Sequence, residues 1–205
     1  MYYDPRVDPR PAPLTHNPLN ALVAPRPIGW IGTLSASGAE NLAPFSYFNA
    51  FSADPPVVGF APNEKPPGGP KDTLANVREV PEFTVSVVSA ELAEAMNATS
   101  AVLPAGASEF RHAGLGSATS RAVRPPHVAQ ARAVLECRVF DIIALPSRPG
   151  SRGSHLVLGE VVGIHIDDAL IRNGRVDVLA LRPVSRLGYF DYSVVDALFE
   201  MRRPD

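Results

Sequence analysis

Lys71-Asp-Thr73 sets a cation and a hydroxyl at the head of a segment, 73–80, that reads as a helix stopped by Pro81. The first amides of a helix lack intrahelical partners and lie at the positive end of its dipole. A Lys and a Thr at that point suit a doubly charged phosphate. Phe45-Ser-Tyr-Phe-Asn49 alternates ring surface with Ser46 and Asn49, so an extended segment would offer polar groups beside a flat apolar wall. His155 supplies an imidazole, either for a second ligand or for a backbone carbonyl. Each motif also has an ordinary use: Lys-Asp-Thr as a helix start, Trp30 and Phe45 as core. No Ser-His-Asp order, carboxylate pair or Cys–His pair points to hydrolysis. The chemistry on offer is the holding of a phosphate and a planar ring.

These residues need strands to position them. Strand-like runs occur at 28–36, 41–48, 57–61, 83–88, 133–145, 155–166 and 177–181. The turn 35–39, with Gly38 available for positive φ, predicts a hairpin between the first two. The basic segment 146–153 predicts a second, longer-tipped hairpin between 133–145 and 155–166. Two helices are expected: 73–80 capped by Asp72, and 90–98 capped by Ser89 with Glu91 in its first turn. A short turn of helix is expected at 19–23, before Pro25 and Pro27. Residues 99–130, with Pro104, Gly106, Gly114, Gly116, Pro125 and Pro126, read as one long loop. Gly114-Leu-Gly-Ser-Ala-Thr119 does not complete a dinucleotide fingerprint, and no βαβ alternation surrounds it. The pattern predicts a mainly β protein with a few short helices, closed as a barrel.

Composition narrows the rest. With 22 Pro and 15 Gly in 205 residues, long helices are excluded. A net charge of −2 supplies no field for nucleic acid or anionic lipid, which leaves a small molecule as the expected partner. The charged, Pro-rich residues 1–18 read as an arm without a signal-peptide core, and no apolar stretch reaches membrane-spanning length. Residues 19–205 read as a single domain, and a cytoplasmic location is expected. Cys137, the one cysteine, reads as a buried structural thiol, and the scattered His16, His112, His127 and His165 predict no metal site.

The run Ala24-Pro-Arg-Pro-Ile-Gly-Trp-Ile-Gly-Thr33, with Asn41-Leu-Ala-Pro-Phe-Ser-Tyr-Phe-Asn-Ala-Phe-Ser52 and Lys71-Asp-Thr73, resembles the flavin reductase-like, FMN-binding split-barrel family. The resemblance continues through Gly106-Ala-Ser-Glu-Phe110, Ala113-Gly-Leu115, Leu135-Glu-Cys137, Gly159-Glu-Val-Val162 and Arg186-Leu-Gly-Tyr189, and covers most of residues 20–192. It implies a split β-barrel that binds FMN and passes electrons to it from NADH or NADPH. It also implies a homodimer with FMN near the subunit interface and, as acceptor, a redox protein or a monooxygenase. Carried over residue by residue, it sets Trp30, Thr33, Ser46, Tyr47, Phe48, Asn49, Lys71, Asp72, Thr73 and Arg186 around the cofactor. Arg26 or Arg186 would supply positive charge to the reduced ring. Many reductases of the family carry Gly-Asp-His, four residues, Gly, one residue and Val, a motif linked to nicotinamide use. Here Gly153, His155, Gly159 and Val161 are kept, but Ser154 replaces the Asp. His155 is the candidate for orienting the nicotinamide. A flavoredoxin-like electron carrier and a flavin-binding module without turnover are the alternatives. Glu109 and Arg111 either gate the substrate side or form a surface ion pair, and Arg148 and Arg152 either attract an adenosine phosphate or tip a solvated loop.

Overall fold

The structure, a computed structural model, describes residues 1–64, 69–104 and 107–204. Seven strands form one sheet in the order Glu40–Phe45, Gly29–Leu34, Glu82–Val87, Ala133–Ala144, His155–Ile166, Pro56–Phe60, Phe48–Ala53. Every neighbouring pair is antiparallel. The two outermost strands are consecutive in the chain, joined only by Ser46 and Tyr47. Three Cα steps span at most about 11 Å. The sheet must therefore curl until its edges meet, yet the edges share no ladder. The result is a barrel with a slit.

Side-chain alternation fills both faces. Ile31, Phe45, Phe60, Phe83, Val85 and Val157 point inward, and Leu74 and Val77 of the helix Asp72–Glu79 plug the interior. Phe45, Phe60 and Phe83 form an aromatic row, with ring centroids 5.1 and 5.2 Å apart. On the other face Trp30 and Leu42 pack with Met96, Phe110, Val128 and Val184. Packing across the slit replaces hydrogen bonding. Phe48, from one edge, lies so close to Gly29 that a Cβ there would sit 2.7 Å from the Phe48 ring. Beside the barrel a small sheet pairs Arg26–Pro27 with Val184–Arg186, and the latter with Tyr192–Val194.

Several expectations need correction. The strand expected at 41–48 ends at Phe45, and a separate strand, Phe48–Ala53, follows the link. The strand expected at 177–181 is a turn of helix, Val178–Leu181, because the Asp177 carboxylate accepts the Ala180 amide at 2.9 Å and caps it. Asp72 is not a cap but the first residue of its helix. Lys71 holds the capping position in an extended conformation. The 90–98 helix begins as a 3₁₀ turn, Ala90–Leu92, before Ala93–Ala98. Within 99–130 lie the helix Glu109–His112 and a ladder pairing Ser117–Ala118 with His127–Val128. Gly106 lies outside the described residues.

Carboxylates hold that segment to the barrel. Glu109 accepts the amide of Leu42 at 3.1 Å, which occupies a backbone donor of the edge strand, so Glu109 is a structural anchor and not a surface ion pair. Glu136, fully buried, accepts the amides of Arg121 at 2.8 Å and Val123 at 3.2 Å, the amide of Ala122, and a bond from His165 Nε2. Burial alone would raise the Glu136 carboxyl. The amides of Arg121 and Ala122 and the His165 side chain outweigh it and hold the group below its ordinary carboxylate range. A depressed folded value means that Glu136 contributes stability above the unfolded pKa, about 4.3, and loses it as pH falls through the folded value. Glu136→Gln is therefore expected to cost on the order of 1.5–3 kcal/mol at pH 7, with the difference from wild type shrinking in acid. Urea unfolding at pH 7 and pH 3 checks this, and equal stabilities at pH 7 would contradict it.

Candidate functional site

Four buried polar side chains meet where the helix Asp72–Glu79 enters the barrel. The Asn41 amide donates to Thr33 Oγ1 at 3.1 Å and to Thr73 Oγ1 at 3.0 Å, and the Asn76 amide donates to Thr33 Oγ1 at 3.0 Å. Local folding dictates the meeting. Asn41 stands opposite Thr33 in the strand register, and Asn76 follows Thr73 by three residues on the inner helix face. Two accepted bonds occupy both lone pairs of Thr33, so only its proton is left to offer. Thr73 likewise keeps its proton. Lys71 Nζ lies 5.7 Å from the Phe45 ring centroid, which ties the helix start to the end of the edge strand. Hydroxyl protons, first-turn amides and an ammonium are the donor set that an acceptor-only anion needs.

The edge strand leads from this cluster toward a pocket of about 140 Å³. Ser46, Asn97, Ser100, Arg186 and Tyr192 line it over the side chain of Met96. Four residues of strand separate Asn41 from Ser46, about 17 Å from one to the other. The pocket lies on the Trp30–Met96 face and the cluster on the Ile31–Leu74 face, so a ligand that reaches both passes round this edge strand. The Arg186 guanidinium donates to the Tyr192 hydroxyl and the Tyr189 carbonyl and lies 4.5 Å from the Tyr192 ring centroid. Tyr189, at φ 57°, holds the turn in a conformation that non-glycine residues rarely adopt. Of the two candidate arginines, Arg186 is therefore the one on the pocket wall. Arg26 is enclosed, its guanidinium bonded to the carbonyls of Asn20, Val23 and Leu187.

The remaining candidates are dispersed. Trp30 is fully buried on the far face of its strand, with Nε1 donating to Thr99 Oγ1 at 2.9 Å, so its indole belongs to the core. Thr33 is equally covered by its own chain and would act on a ligand through Asn41 and Thr73. Tyr47 is exposed on the slit link, its hydroxyl donating to Asn20 Oδ1 at 2.8 Å. Phe48 packs across the slit. Asn49 is exposed, with Oδ1 accepting the Ala50 amide at 2.9 Å. Asp72 is exposed at the helix start. His155 sits at the opposite end of that helix, with Nε2 3.0 Å from Nη2 of Arg78, five residues or about 7.5 Å of helix beyond Thr73. The guanidinium can only donate, so Nε2 accepts and Nδ1 carries the proton. That buried Nδ1 has no partner among the described residues. Arg148 and Arg152 are exposed in the hairpin tip. Asn41, Asn76, Asn97 and Ser100 did not stand out in the sequence, although strand register and helical spacing mark the first two.

A family model for the flavin reductase-like domain matches residues 22–194. The chain belongs to the flavin reductase-like family. Its fold is the FMN-binding split barrel, as the open seven-stranded sheet indicates. Protein BH2278 of Halalkalibacterium halodurans is 40% identical over 182 residues, covering 89% of this chain and 87% of that protein. Nitrilotriacetate monooxygenase component B from Bacillus cereus has a similar structure, with a TM-score of 0.89, 30% identity and 98% of each chain covered. The 2-nitrobenzoate 2-nitroreductase NbaA of Pseudomonas fluorescens follows at a TM-score of 0.78 and 29% identity, covering 91% of this chain and 88% of its own.

Charge-assisted bonds to phosphate are worth on the order of 1.5–3 kcal/mol each. Replacing Lys71→Ala together with Thr73→Ala is expected to weaken FMN binding at least about tenfold while the fold survives. Flavin fluorescence titration measures the dissociation constant, and an unchanged value would remove the phosphate assignment.

Proposed function

We propose that the protein holds FMN along the edge strand of the slit and reduces it with NADH or NADPH, as an oxidoreductase of the flavin reductase type. The observation that carries this reading is the Thr33–Asn41–Thr73–Asn76 cluster, whose amide donors occupy threonine acceptor sites and leave the Thr73 hydroxyl a donor at the helix start beside Lys71. Thr73, Lys71 and the first helical amides would hold the phosphate. Ser46 would bond the polar edge of the ring, and Arg186 would set a fixed positive charge in the same pocket, where reduction builds negative charge. Bound FMN supplies the chemistry, taking up a hydride and passing electrons on. The residues of this chain bind, orient and shield. The two structural neighbours, a monooxygenase component and a nitroreductase, favour a redox role and a protein or small-molecule acceptor.

A second copy of the chain fits the same reading. Phe51 and Phe140 stand 57% and 59% exposed on strands of the barrel, apolar surface available to a partner. A homodimer would cover it. The electron-carrier alternative has its own support: His155 is engaged by Arg78, and Ser154 stands where nicotinamide-using relatives carry Asp.

Adding NADH or NADPH to the FMN-loaded protein without oxygen is expected to bleach the flavin's visible absorption. His155→Ala should slow that bleaching more than it lowers FMN affinity if the imidazole meets the nucleotide. Loss of colour only with a reduced partner protein would establish the carrier instead. Light scattering should return twice the 21.9 kDa of one chain, and a monomer that still binds FMN would show that one chain builds the site alone.

A further inference from the structure

Arg26 is only 7% exposed, yet no carboxylate among the described residues pairs with it. A buried cation is tolerated only where hydrogen bonds compensate its burial, and here backbone carbonyls take up both terminal nitrogens, while Nε has no partner among the described residues. Nη1 donates to the carbonyls of Asn20 and Val23, at the negative end of the single helical turn Leu19–Leu22. Nη2 donates to the carbonyl of Leu187 at 2.8 Å, where the turn between Val184–Arg186 and Tyr192–Val194 begins. The same guanidinium carbon lies 5.9 Å from the Tyr47 ring centroid, and the Tyr47 hydroxyl bonds the side chain of Asn20. Contact between the two outer segments is tight, since a Cβ on Gly188 would fall 2.7 Å from Ala21 Cβ.

Three segments that share no sheet ladder with one another as a group thus converge on one side chain. One is the turn before the barrel, one is the link across the slit, and one is the turn that follows Arg186. Two of them carry pocket residues: Ser46 on the link, and Arg186 with Tyr192 flanking the turn. Arg26 also pairs with Arg186 in strand register, so its backbone and its side chain fix the same corner. A lysine could not reproduce this. A planar fork reaches carbonyls on two sides at once, whereas an ammonium is a single point.

We infer that Arg26 is a positioning residue for the ring end of the FMN site: without touching the cofactor, it sets Ser46 against Arg186 by clamping Tyr47 and the Leu187 turn. This rests on the FMN reading above. The test measures FMN dissociation constants, the band shape of bound flavin and melting temperatures for wild type, Arg26→Met, Arg26→Lys and Tyr47→Phe. Arg26→Met is expected to raise the dissociation constant at least about tenfold and to shift the bound-flavin spectrum toward that of free flavin, with Arg26→Lys failing to rescue either. Adding Tyr47→Phe to Arg26→Met should weaken binding no further, because both act through one clamp. Should Arg26→Met fail to fold, Tyr47→Phe alone carries the test, with an expected loss of about threefold. Wild-type affinity and spectrum in the variants, whatever their melting temperatures, would overturn the inference, and so would full rescue by lysine. A wild type that takes no FMN would overturn the FMN reading and this inference with it, whereas binding that no variant alters overturns this inference alone.

Discussion

Two residues, Ser46 and Tyr47, join the first and last strands of a seven-stranded sheet, and that short tether governs the rest of the molecule. A tether of this length forces the sheet to curl. Because the tethered strands pair with their inner neighbours and not with each other, the barrel closes by side-chain packing alone. Gly29 is bare so that Phe48 can lie across the gap, and the aromatic row from Phe45 to Phe83 fills the space the curl encloses. The slit leaves a place where backbone and polar side chains can face a ligand instead of a neighbouring strand. The helix Asp72–Glu79 enters there, with its apolar face inward and its start beside Phe45.

Most polar groups buried in such a small core are partnered, and their partnering fixes geometry as well as energy. Thr33, Asn41, Thr73 and Asn76 satisfy one another and thereby lock the helix start to both strands of the first hairpin. Glu136 does the same for the long 117–128 segment through three consecutive amides, and Glu109 for the exposed edge. Arg26 does it with carbonyls. In the last three cases a charge inside the protein is matched by backbone, so these loops are held without regular secondary structure of their own.

Local patterns made six of the seven barrel strands legible in the sequence, because alternating apolar residues bounded by Gly and Pro depend little on tertiary context. The break at Ser46 was not legible. Phe45 to Asn49 holds no Gly or Pro to mark a turn, and the need to cross from one edge of the sheet to the other divides it into two strands. Residues 177–181 carry an apolar run that fits either period, and the Asp177 cap decides for helix once Leu181 is buried. At the site, Lys71, Thr73 and Ser46 were visible by type and motif. Asn41 and Asn76 were hidden because their value lies in register with Thr33. Trp30 looked available from its place in the fingerprint, but the parity of its strand turns the indole into the core.

A slit that grips a phosphate would distinguish FMN from riboflavin, which carries the same ring and lacks the phosphate. Titrating the purified protein with each, by quenching of flavin fluorescence, measures that difference directly. If the helix start and the threonine–asparagine cluster form the anion site, FMN will bind at least about tenfold tighter than riboflavin, and Lys71→Ala will narrow the gap. Equal affinity for the two flavins, or a gap that survives the loss of Lys71 and Thr73, would contradict it.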